Sequence, residues 1–356
     1  MSPSPAASPD GLIGQYNRNA KRTILLIAVS AVGVLMAGLV FSVLGATGTT
    51  FGDVLASIRN FFSGAPLDAK QKVILYLRLP RIAMAVFAGV GLSVSGCAMQ
   101  GITHNPLVSP FTIGISNAAA FGASMAIVFG FGIAARSELG VVLTAFLFAF
   151  LCAAVVYGIS LHVGMSAESI VLTGIAVNYF FSAATSTIEY FADEHRLAAA
   201  VAWAFGSFNG AEWREVAVVS ALVSVCFLAL LLTAPSLNAL SCGNDEVARS
   251  IGVNPARVRV IVGACSVLAA AAVISFTGVI GFVGLAGPHI ARMLIGADHR
   301  YLIPFSAVTG AALTLAADTI GRLILAPVLI PVGIVVSFLG VPIFVNLVLA
   351  KRKGAF

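Results

Sequence analysis

Charged side chains are scarce in this sequence, and their scarcity excludes an ordinary water-soluble fold. Only 10% of the 356 residues are Asp, Glu, Lys or Arg, whereas 59% are hydrophobic and the mean hydropathy is +1.03. Soluble globular domains carry about 25% charged residues. A chain with so few charges could not cover a water-exposed surface, so the composition predicts an integral membrane protein.

Sequence patterns for catalysis and metal binding are also missing. None of the five lysines lies in the phosphate-binding pattern GxxxxGK[ST], so we expect no ATP hydrolysis by this chain. The five cysteines form neither a CxxC pair nor a Cys/His cluster, which predicts no metal site and no cofactor. HExxH, GxSxG and any spaced nucleophile and base are absent as well. We therefore expect that the protein is not an enzyme.

Long apolar runs make up most of the chain. A spanning helix needs roughly 20 predominantly apolar residues, and such runs predict an all-α protein with one membrane domain at 23–350. Short tails at 1–22 and 351–356 flank it. The ten predicted spans are 23–44, 80–101, 110–132, 139–162, 168–190, 214–234, 258–276, 279–295, 302–325 and 332–350.

Basic residues near the span ends predict the orientation. Lys and Arg are enriched on the cytoplasmic side of membrane proteins, and basic residues flank the first and last spans, so both termini are expected in the cytoplasm. The first outer connection, 45–79, and its boundary oppose this bias. Either the predicted topology is wrong there, or an acidic partner docks on the outer face; we favour the partner. The basic residues in question are Arg59, Lys70, Lys72, Arg78 and Arg81.

Three segments carry a series of motifs in one order. Residues 77–122 read LRLPRIAMAVFAGVGLSVSGCAMQGITHNPLVSPFTIGISNAAAFG, residues 277–300 read TGVIGFVGLAGPHIARMLIGADHR, and residues 331–344 read PVGIVVSFLGVPIF. Together they resemble the FecCD/BtuC-type permease family, the membrane subunits of type II ABC importers for ferric siderophores, haem or vitamin B12. The resemblance runs from about Arg78 to the C-terminus.

This resemblance implies an architecture and a set of partners. It implies a BtuC-like fold with ten transmembrane helices per subunit in the plasma membrane of a prokaryote, surrounded by lipid. It also implies two ABC ATPase subunits, an extracytoplasmic substrate-binding protein and a second permease copy in a homodimer, with no nucleic acid. The rival function is a secondary transporter or channel acting without an ATPase. The few ionisable residues inside the spans argue against that rival.

The resemblance also implies roles for individual residues. The binding protein would dock on arginines; simple anchoring of helix ends at the lipid interface is the alternative. Two turns would form a cytoplasmic gate, although Ala167 and Glu168 depart from the Ser/Thr usual in the second turn; plain tight turns are the alternative. The docking residues are Arg78, Arg81 and Arg322, and the gate residues are Asn105, Leu107, Ser166 and Ala167.

Residues 241–252 are implied to be a cytoplasmic coupling helix that docks on the ATPase. Asn244 or Asp245 can cap a short helix, and Gly252 can end it in a left-handed conformation. Ala248 and Gly252 would leave a small-residue face that another protein can approach. A plain solvated loop helix is the alternative. The coupling residues are Asp245, Glu246, Ala248, Arg249 and Gly252.

Three further patterns predict local structure. Asp318 and Arg322 are spaced to pair across one helical turn. Glycines at 278, 281, 284 and 287 predict a close-packing ridge, and Pro288 should bend or break that helix. Leu329 stands where the family often has Glu, so the function of that carboxylate is missing or relocated, for example to Glu189, Asp193 or Glu194.

Overall fold

The described part of the chain is helical. The structure is a computed structural model that describes residues 9–44, 48–132, 137–243 and 245–351, and no strand occurs among them, as predicted. A π-helical turn, Ile74–Arg78, lies between α3 and α4. The α-helices are α1 Pro9–Val43, α2 Phe51–Ser63, α3 Ala69–Val73, α4 Leu79–Thr103, α5 Ile115–Phe129, α6 Glu138–His162, α7 Ala167–Phe191, α8 Glu194–Ala204, α9 Trp213–Leu232, α10 Ala234–Ser241, α11 Asp245–Ser250, α12 Pro255–Thr277, α13 Val283–Ile295, α14 His299–Leu323 and α15 Val332–Lys351.

Seven helical segments are long and apolar enough to cross a membrane, among the described residues. They are Asn17–Val43, Ala69–Thr103, Glu138–His162, Ala167–Phe191, Trp213–Leu232, Pro255–Thr277 and His299–Leu323.

Three shorter apolar helices occupy the places of the third, eighth and tenth predicted spans. They are Ile115–Phe129, Val283–Ile295 and Val332–Pro342. At 1.5 Å per residue, the 15 residues of α5 extend only about 22 Å, less than a hydrocarbon core of about 30 Å. The count of ten spans therefore stays a prediction.

The segment that precedes α4 is helical rather than a loop. Pro80 lies in the first turn of α4, but the chain is already helical from Ala69. Proline in a continuous helix removes one hydrogen bond and crowds the carbonyl four residues earlier. That carbonyl belongs to Tyr76, which lies in the π-helical turn. The irregular turn therefore coincides with the position that proline perturbs.

Glycines bring α4 into close contact with α13 and α14. A Cβ on Gly96 of α4 would lie 1.8 Å from the carbonyl oxygen of Gly284 in α13, and one on Gly89 would lie 2.3 Å from the carbonyl oxygen of Gly310 in α14. Such distances exclude any side chain, so the backbones touch directly. Small residues allow this approach between membrane helices. The predicted close packing is confirmed for Gly284 and also for Gly287, which faces Ser93.

The break between α12 and α13 lies between the predicted spans 258–276 and 279–295. Gly278 and Gly281 precede α13 instead of extending its ridge, and Pro288 lies inside α13 without ending it. Gly278 has φ 72° and ψ −169°, a conformation open essentially to glycine alone. A Cβ there would also lie 2.2 Å from the carbonyl oxygen of Trp203. The backbone at Gly278, not the ring of Pro288, separates the two helices.

Two ends of the bundle are defined by the contacts of α4. Just before α4 begins, the indole N–H of Trp213 donates to the carbonyl of Leu75 over 2.8 Å. In the first turn of α4, Arg81 contacts Asp318, and this end of the bundle is called the Asp318 end. In the last turn of α4, the carbonyl of Ile102 accepts a hydrogen bond of 3.2 Å from Arg259 of α12. This end of the bundle is called the Arg259 end. Helices α4 and α12 therefore run antiparallel, and the candidate site lies at the Arg259 end.

Candidate coupling site at the Arg259 end

Arg259 joins three segments that are distant in sequence. Its Nη1 and Nη2 atoms donate to Oδ2 and Oδ1 of Asp245 over 2.7 and 2.8 Å. Its Nε donates to the carbonyl of Ile102 over 3.2 Å, and Nη1 also donates to the carbonyl of Met165 over 3.1 Å. The residue is 3% exposed. A planar guanidinium suits such a forked contact.

The ion pair fixes the ionised state of Asp245. Hydrogen bonding to Arg259 lowers the pKa of this carboxyl below its ordinary value, and the nearby charge of Arg259 acts in the same direction. Hydrogen bonds to a carboxylate favour its charged form. Asp245, predicted as a contact for the ATPase, is thus held against α12 of its own chain.

The predicted coupling helix is present but shorter than the predicted segment. α11 spans Asp245–Ser250, whereas Ser241 belongs to α10 and Asn244 lies outside the described residues. Gly252 has φ 85°. The next N–H, of Val253, donates to the carbonyl of Ala248 over 2.9 Å. The left-handed ending at Gly252 is confirmed.

Ala248 is not on the surface of α11, which corrects the predicted docking face. Its exposure is 0%, because it faces the rest of the protein. Glu246 and Arg249 are exposed as predicted. The largest apolar exposure in this segment is Ile251, at 61%. A partner at α11 would therefore touch its charged face and Ile251 rather than Ala248.

A second contact fixes α10, just before the coupling segment. The amide nitrogen of Asn238 donates to Oδ1 of Asp298 over 2.7 Å, and its amide oxygen accepts from the backbone N–H of His299 over 2.8 Å. A hydrogen bond from Arg300, the largest influence, and one from Asn238 help to lower the pKa of Asp298 to about 2. Asp298 and His299, near the end of the motif segment 277–300, thus connect the start of α14 to α10.

The two predicted gate turns both lie at the Arg259 end. In the first, His104 ends α4 with φ 50°. The side chain of Asn105 then accepts the backbone N–H of Leu107 over 3.0 Å. Leu107 is 51% exposed. The Asn105 contact is the side-chain turn that Asn commonly forms.

The second turn lies between α6 and α7. Met165 has φ 53°. Ser166 caps α7 by accepting the N–H of Ser169 over 3.1 Å, and Ala167 is the first helical residue. Because Arg259 binds the carbonyls of both Ile102 and Met165, the two turns share one side chain. Their function as a gate stays a prediction.

The predicted docking arginines lie at the opposite end and turn inward. Nε of Arg81 lies 2.9 Å from Oδ1 of Asp318, and Nε of Arg322 lies 3.1 Å from Oδ2. The Asp318 side chain is 0% exposed, and those of the arginines are 12% and 14% exposed. The Asp318–Arg322 pair is confirmed; the contact with Arg81 was not predicted. Arg78 donates to the carbonyl of Ser42 over 2.8 Å. Docking through these arginines stays a prediction.

No group of three or more His, Cys, Asp or Glu side chains that could hold a metal occurs within the described ranges. The buried charges at both ends are instead matched by side chains of opposite charge. The arrangement therefore provides mechanical links and charge pairs rather than reactive groups.

Comparison with known proteins identifies the chain. The model of the FecCD transport family matches residues 22–350. The chain belongs to this family. It is 36% identical over 322 residues to the hemin transport system permease protein HmuU of Yersinia pestis, covering 90% of this chain and 96% of that protein. It is also 36% identical over 332 residues to the iron(3+)-hydroxamate import system permease protein FhuB of Bacillus subtilis, covering 91% and 85%.

A solved structure supports the same FecCD assignment. A transporter described as of the metal-chelate ABC type, in an inward-facing conformation, superimposes with a TM-score of 0.80 at 32% identity, covering 91% of this chain and 98% of that one. The FecCD relatives are permeases of ABC importers, which are membrane proteins. The resemblance seen in the sequence motifs is thus confirmed at the level of the family and the helical fold.

Proposed function

We propose that this protein is the membrane-spanning permease subunit of an ABC importer that moves a metal chelate received from an extracytoplasmic binding protein. Its ten helices would span the plasma membrane of a prokaryote, with both termini in the cytoplasm. One observation carries the proposal: Arg259 connects the predicted coupling helix to both predicted gate turns. Such a link is what a permease needs if ATP hydrolysis in another subunit is to open its pathway.

The cargo proposed first is a ferric siderophore, with haem and cobalamin next. The permeases HmuU and FhuB, named for hemin and iron(3+)-hydroxamate, support a bulky metal chelate as the class. Serine and threonine along α7 fit such a cargo, because hydroxyl groups give a wall to which a bulky solute binds only weakly. Ser182, Ser186 and Thr187 are exposed on this helix.

A second permease copy would cover much of the surface of α7. Only Ile170, Gly174, Phe181 and Ile188 are buried along its 25 residues. Large apolar side chains are exposed on the remaining surface, among them Tyr179 at 72% and Tyr190 at 83%. Lipid covers such a surface only in part if the helix also borders a pathway. A homodimer around a central pathway, with two ATPase subunits at the Arg259 ends, accounts for this exposure.

The rival function, a secondary transporter or channel without an ATPase, receives less support. Proton- and sodium-driven carriers use ionisable groups inside the membrane domain. Here the fully buried carboxylate Asp318 is bound by two arginines, and the buried Arg259 is bound to Asp245. These charges are held in fixed pairs, which leaves no free ionisable group among them to carry a coupled ion.

Reconstitution tests the proposal. The permease is placed in liposomes with its cognate ATPase and binding protein, and uptake of ferric siderophores, haem and cobalamin is measured with and without ATP. We expect ATP-dependent uptake of one of these chelates, and no saturable ATP binding to the permease alone in equilibrium dialysis. Uptake by the permease alone, driven by a proton or sodium gradient, would instead establish the rival function.

A further inference from the structure

We infer that Arg259 is a positioning residue that transmits movement of the coupling helix α11 to both gate turns. The inference rests on the proposed function. It goes further because it assigns the transmission step to one side chain that lies on neither the coupling helix nor a gate turn. The Arg259 guanidinium binds Asp245 of α11 and the carbonyls of Ile102 and Met165 at the same time.

The geometry makes the link a rigid one. The carboxylate of Asp245 is bound by two parallel hydrogen bonds of 2.7 and 2.8 Å, which fix both its distance and its orientation. The guanidinium is planar, so its other two contacts keep a fixed angle to this carboxylate. At 3% exposure, Arg259 is shielded from water that could replace either carbonyl. A displacement of α11 therefore shifts all three acceptors or breaks a contact.

The two carbonyls lie where they control the turns. Ile102 precedes the left-handed residue His104 by two positions, and Met165 is itself left-handed. Left-handed backbone is unfavourable for residues other than glycine and persists only when surrounding contacts impose it. Arg259 supplies one such contact to Met165 itself and one to Ile102, in the last turn of α4 just before His104. Loss of these contacts would allow each turn to relax to an alternative conformation, as gating requires.

A second set of hydrogen bonds holds α10, which precedes the coupling helix α11, and it leads to a different helix. Asn238 connects α10 to Asp298 and His299 at the start of α14, not to the gate turns. Helices α10 and α11 are thus held by two sets of contacts. Asn238 connects α10 to α14, and Arg259 connects α11 to the gate turns. If Arg259 and Asn238 only stabilise the fold, weakening the contacts of either residue should reduce assembly and transport alike. If Arg259 transmits movement, only loss of its contacts should change the gate turns.

The test compares variants of the complete transporter with its ATPase and binding protein. Arg259→Lys keeps the positive charge but replaces the planar fork with one ammonium group, which cannot hold the carboxylate and both carbonyls in the same geometry. Arg257→Lys is the matched control, because Arg257 is exposed on the same helix and donates to Asn254 from its backbone N–H, which the substitution keeps. Asn238→Ala removes the hydrogen bonds of Asn238 to Asp298 and His299.

Two readouts separate transmission from stability. The first is chelate taken up per ATP hydrolysed. The second is the rate at which a maleimide modifies Leu107→Cys, with and without ATP, in a Cys242→Ser background that removes the exposed native thiol.

We expect Arg259→Lys to assemble and hydrolyse ATP at a rate close to that of the unmodified complex. Its uptake per ATP should fall by about tenfold, and the ATP-dependent change in modification should disappear. Arg257→Lys and Asn238→Ala should keep both.

Several outcomes would overturn the inference. Normal uptake per ATP in Arg259→Lys is one, and a parallel loss of assembly, hydrolysis and uptake in Asn238→Ala and Arg259→Lys alike is another. If Arg259→Lys does not assemble, Asp245→Asn is tested in its place, because it keeps both carbonyl contacts of Arg259 but weakens the ion pair. ATP hydrolysis without uptake in this variant would support transmission. Normal uptake per ATP would refute it. Failure of ATP-driven uptake in the unmodified complex would refute the proposed function instead.

Discussion

Asp318 and Arg259 place opposite charges inside an apolar bundle, and each is matched by partners from other segments. A charge inside a membrane domain is unfavourable unless a partner compensates it. Asp318 has two arginines, Arg81 on α4 and Arg322 one turn away on α14. Arg259 has one carboxylate and two carbonyls. Each cluster joins helices, so removing one member leaves the others buried without compensation.

The first prediction concerns Asp318. Replacing it with Asn leaves Arg81 and Arg322 facing each other without a carboxylate, and breaking a buried pair costs about 3–5 kcal/mol. We expect Asp318→Asn to lower the thermal unfolding midpoint of the detergent-solubilised protein by several degrees, measured by fluorescence-detected size exclusion. The matched control is Asp53→Asn, which breaks the more exposed pair with Lys70. Equal midpoints for both variants would contradict a stabilising role of the Asp318 cluster.

Sequence spacing could identify only part of the Asp318 cluster and none of the Arg259 cluster. Asp318 and Arg322 lie one turn apart on a helix, so their pairing follows from helical geometry alone. Arg81 and Asp318 are 237 positions apart, and their contact depends on how α4 packs on α14. No sequence pattern identified Arg259, because its three partners lie 157, 94 and 14 positions away along the chain. Single-sequence patterns do not reveal which distant helix supplies that partner.

At the scale of helices, the contact between α4 and α13 leads to a second prediction. A Cβ on Gly96 would overlap the carbonyl oxygen of Gly284 at 1.8 Å, so Gly96→Ala must push the helices apart. Overpacking costs about 1–3 kcal/mol, and we expect a lower unfolding midpoint and lower uptake. Gly158→Ala on α6 is the control, because nothing lies within 4 Å of its added Cβ. Alanine favours helix over glycine by about 1 kcal/mol, so this control should be neutral or stabilising.

The third prediction concerns α11. A bulky residue at Ala248 would test packing inside the permease rather than docking, because Ala248 is fully buried. Ile251→Glu changes an exposed side chain and should weaken binding of the ATPase, measured by pull-down of the purified subunit, while membrane insertion stays normal. Val163→Glu introduces the same charge at an exposed position of the α6–α7 turn and should bind normally. Unchanged binding by Ile251→Glu would exclude Ile251 from the docking surface.

The helix breaks show where sequence patterns succeed and where they fail. The helix ending at Gly252 was predicted because capping depends on a few adjacent residues. The break before α13 lies between two predicted spans, but Pro288 does not end α13; the residue at the break, Gly278, is constrained by a carbonyl of Trp203 on α8. Local rules therefore locate caps, whereas tertiary contacts decide which of several candidate residues interrupts a long helix.

At the scale of the whole molecule, α4 connects the two ends that carry the charge clusters. It begins beside Arg81 at the Asp318 end and finishes beside Ile102 at the Arg259 end. Direct backbone contacts of Gly96 with Gly284 in α13 and of Gly89 with Gly310 in α14 hold these three helices close together. In the proposed transport cycle, these helices would move as a rigid body, and the turns at their Arg259 end would change conformation.

The last prediction concerns docking of the binding protein at the Asp318 end. Reversing Arg81 and Arg322 would destroy the Asp318 cluster, so these arginines cannot test docking cleanly. Arg59 and Lys72 are exposed at the same end and belong to the same basic connection. Complementary charge raises the rate of association, so Arg59→Glu with Lys72→Glu should slow association with an acidic binding protein in surface plasmon resonance.

Salt dependence provides the second half of this docking test. Screening acts over about 8–10 Å at physiological ionic strength, so association of the unmodified permease should slow as salt rises, and that of the double reversal should change less. Each exposed pair contributes only about 0–1 kcal/mol, which is why two charges are reversed together. Arg249→Glu with Arg257→Glu, at the Arg259 end, is the matched control and should associate normally. An association rate that is flat with salt and equal in all three proteins would mean that the basic residues of this connection anchor helix ends at the lipid interface.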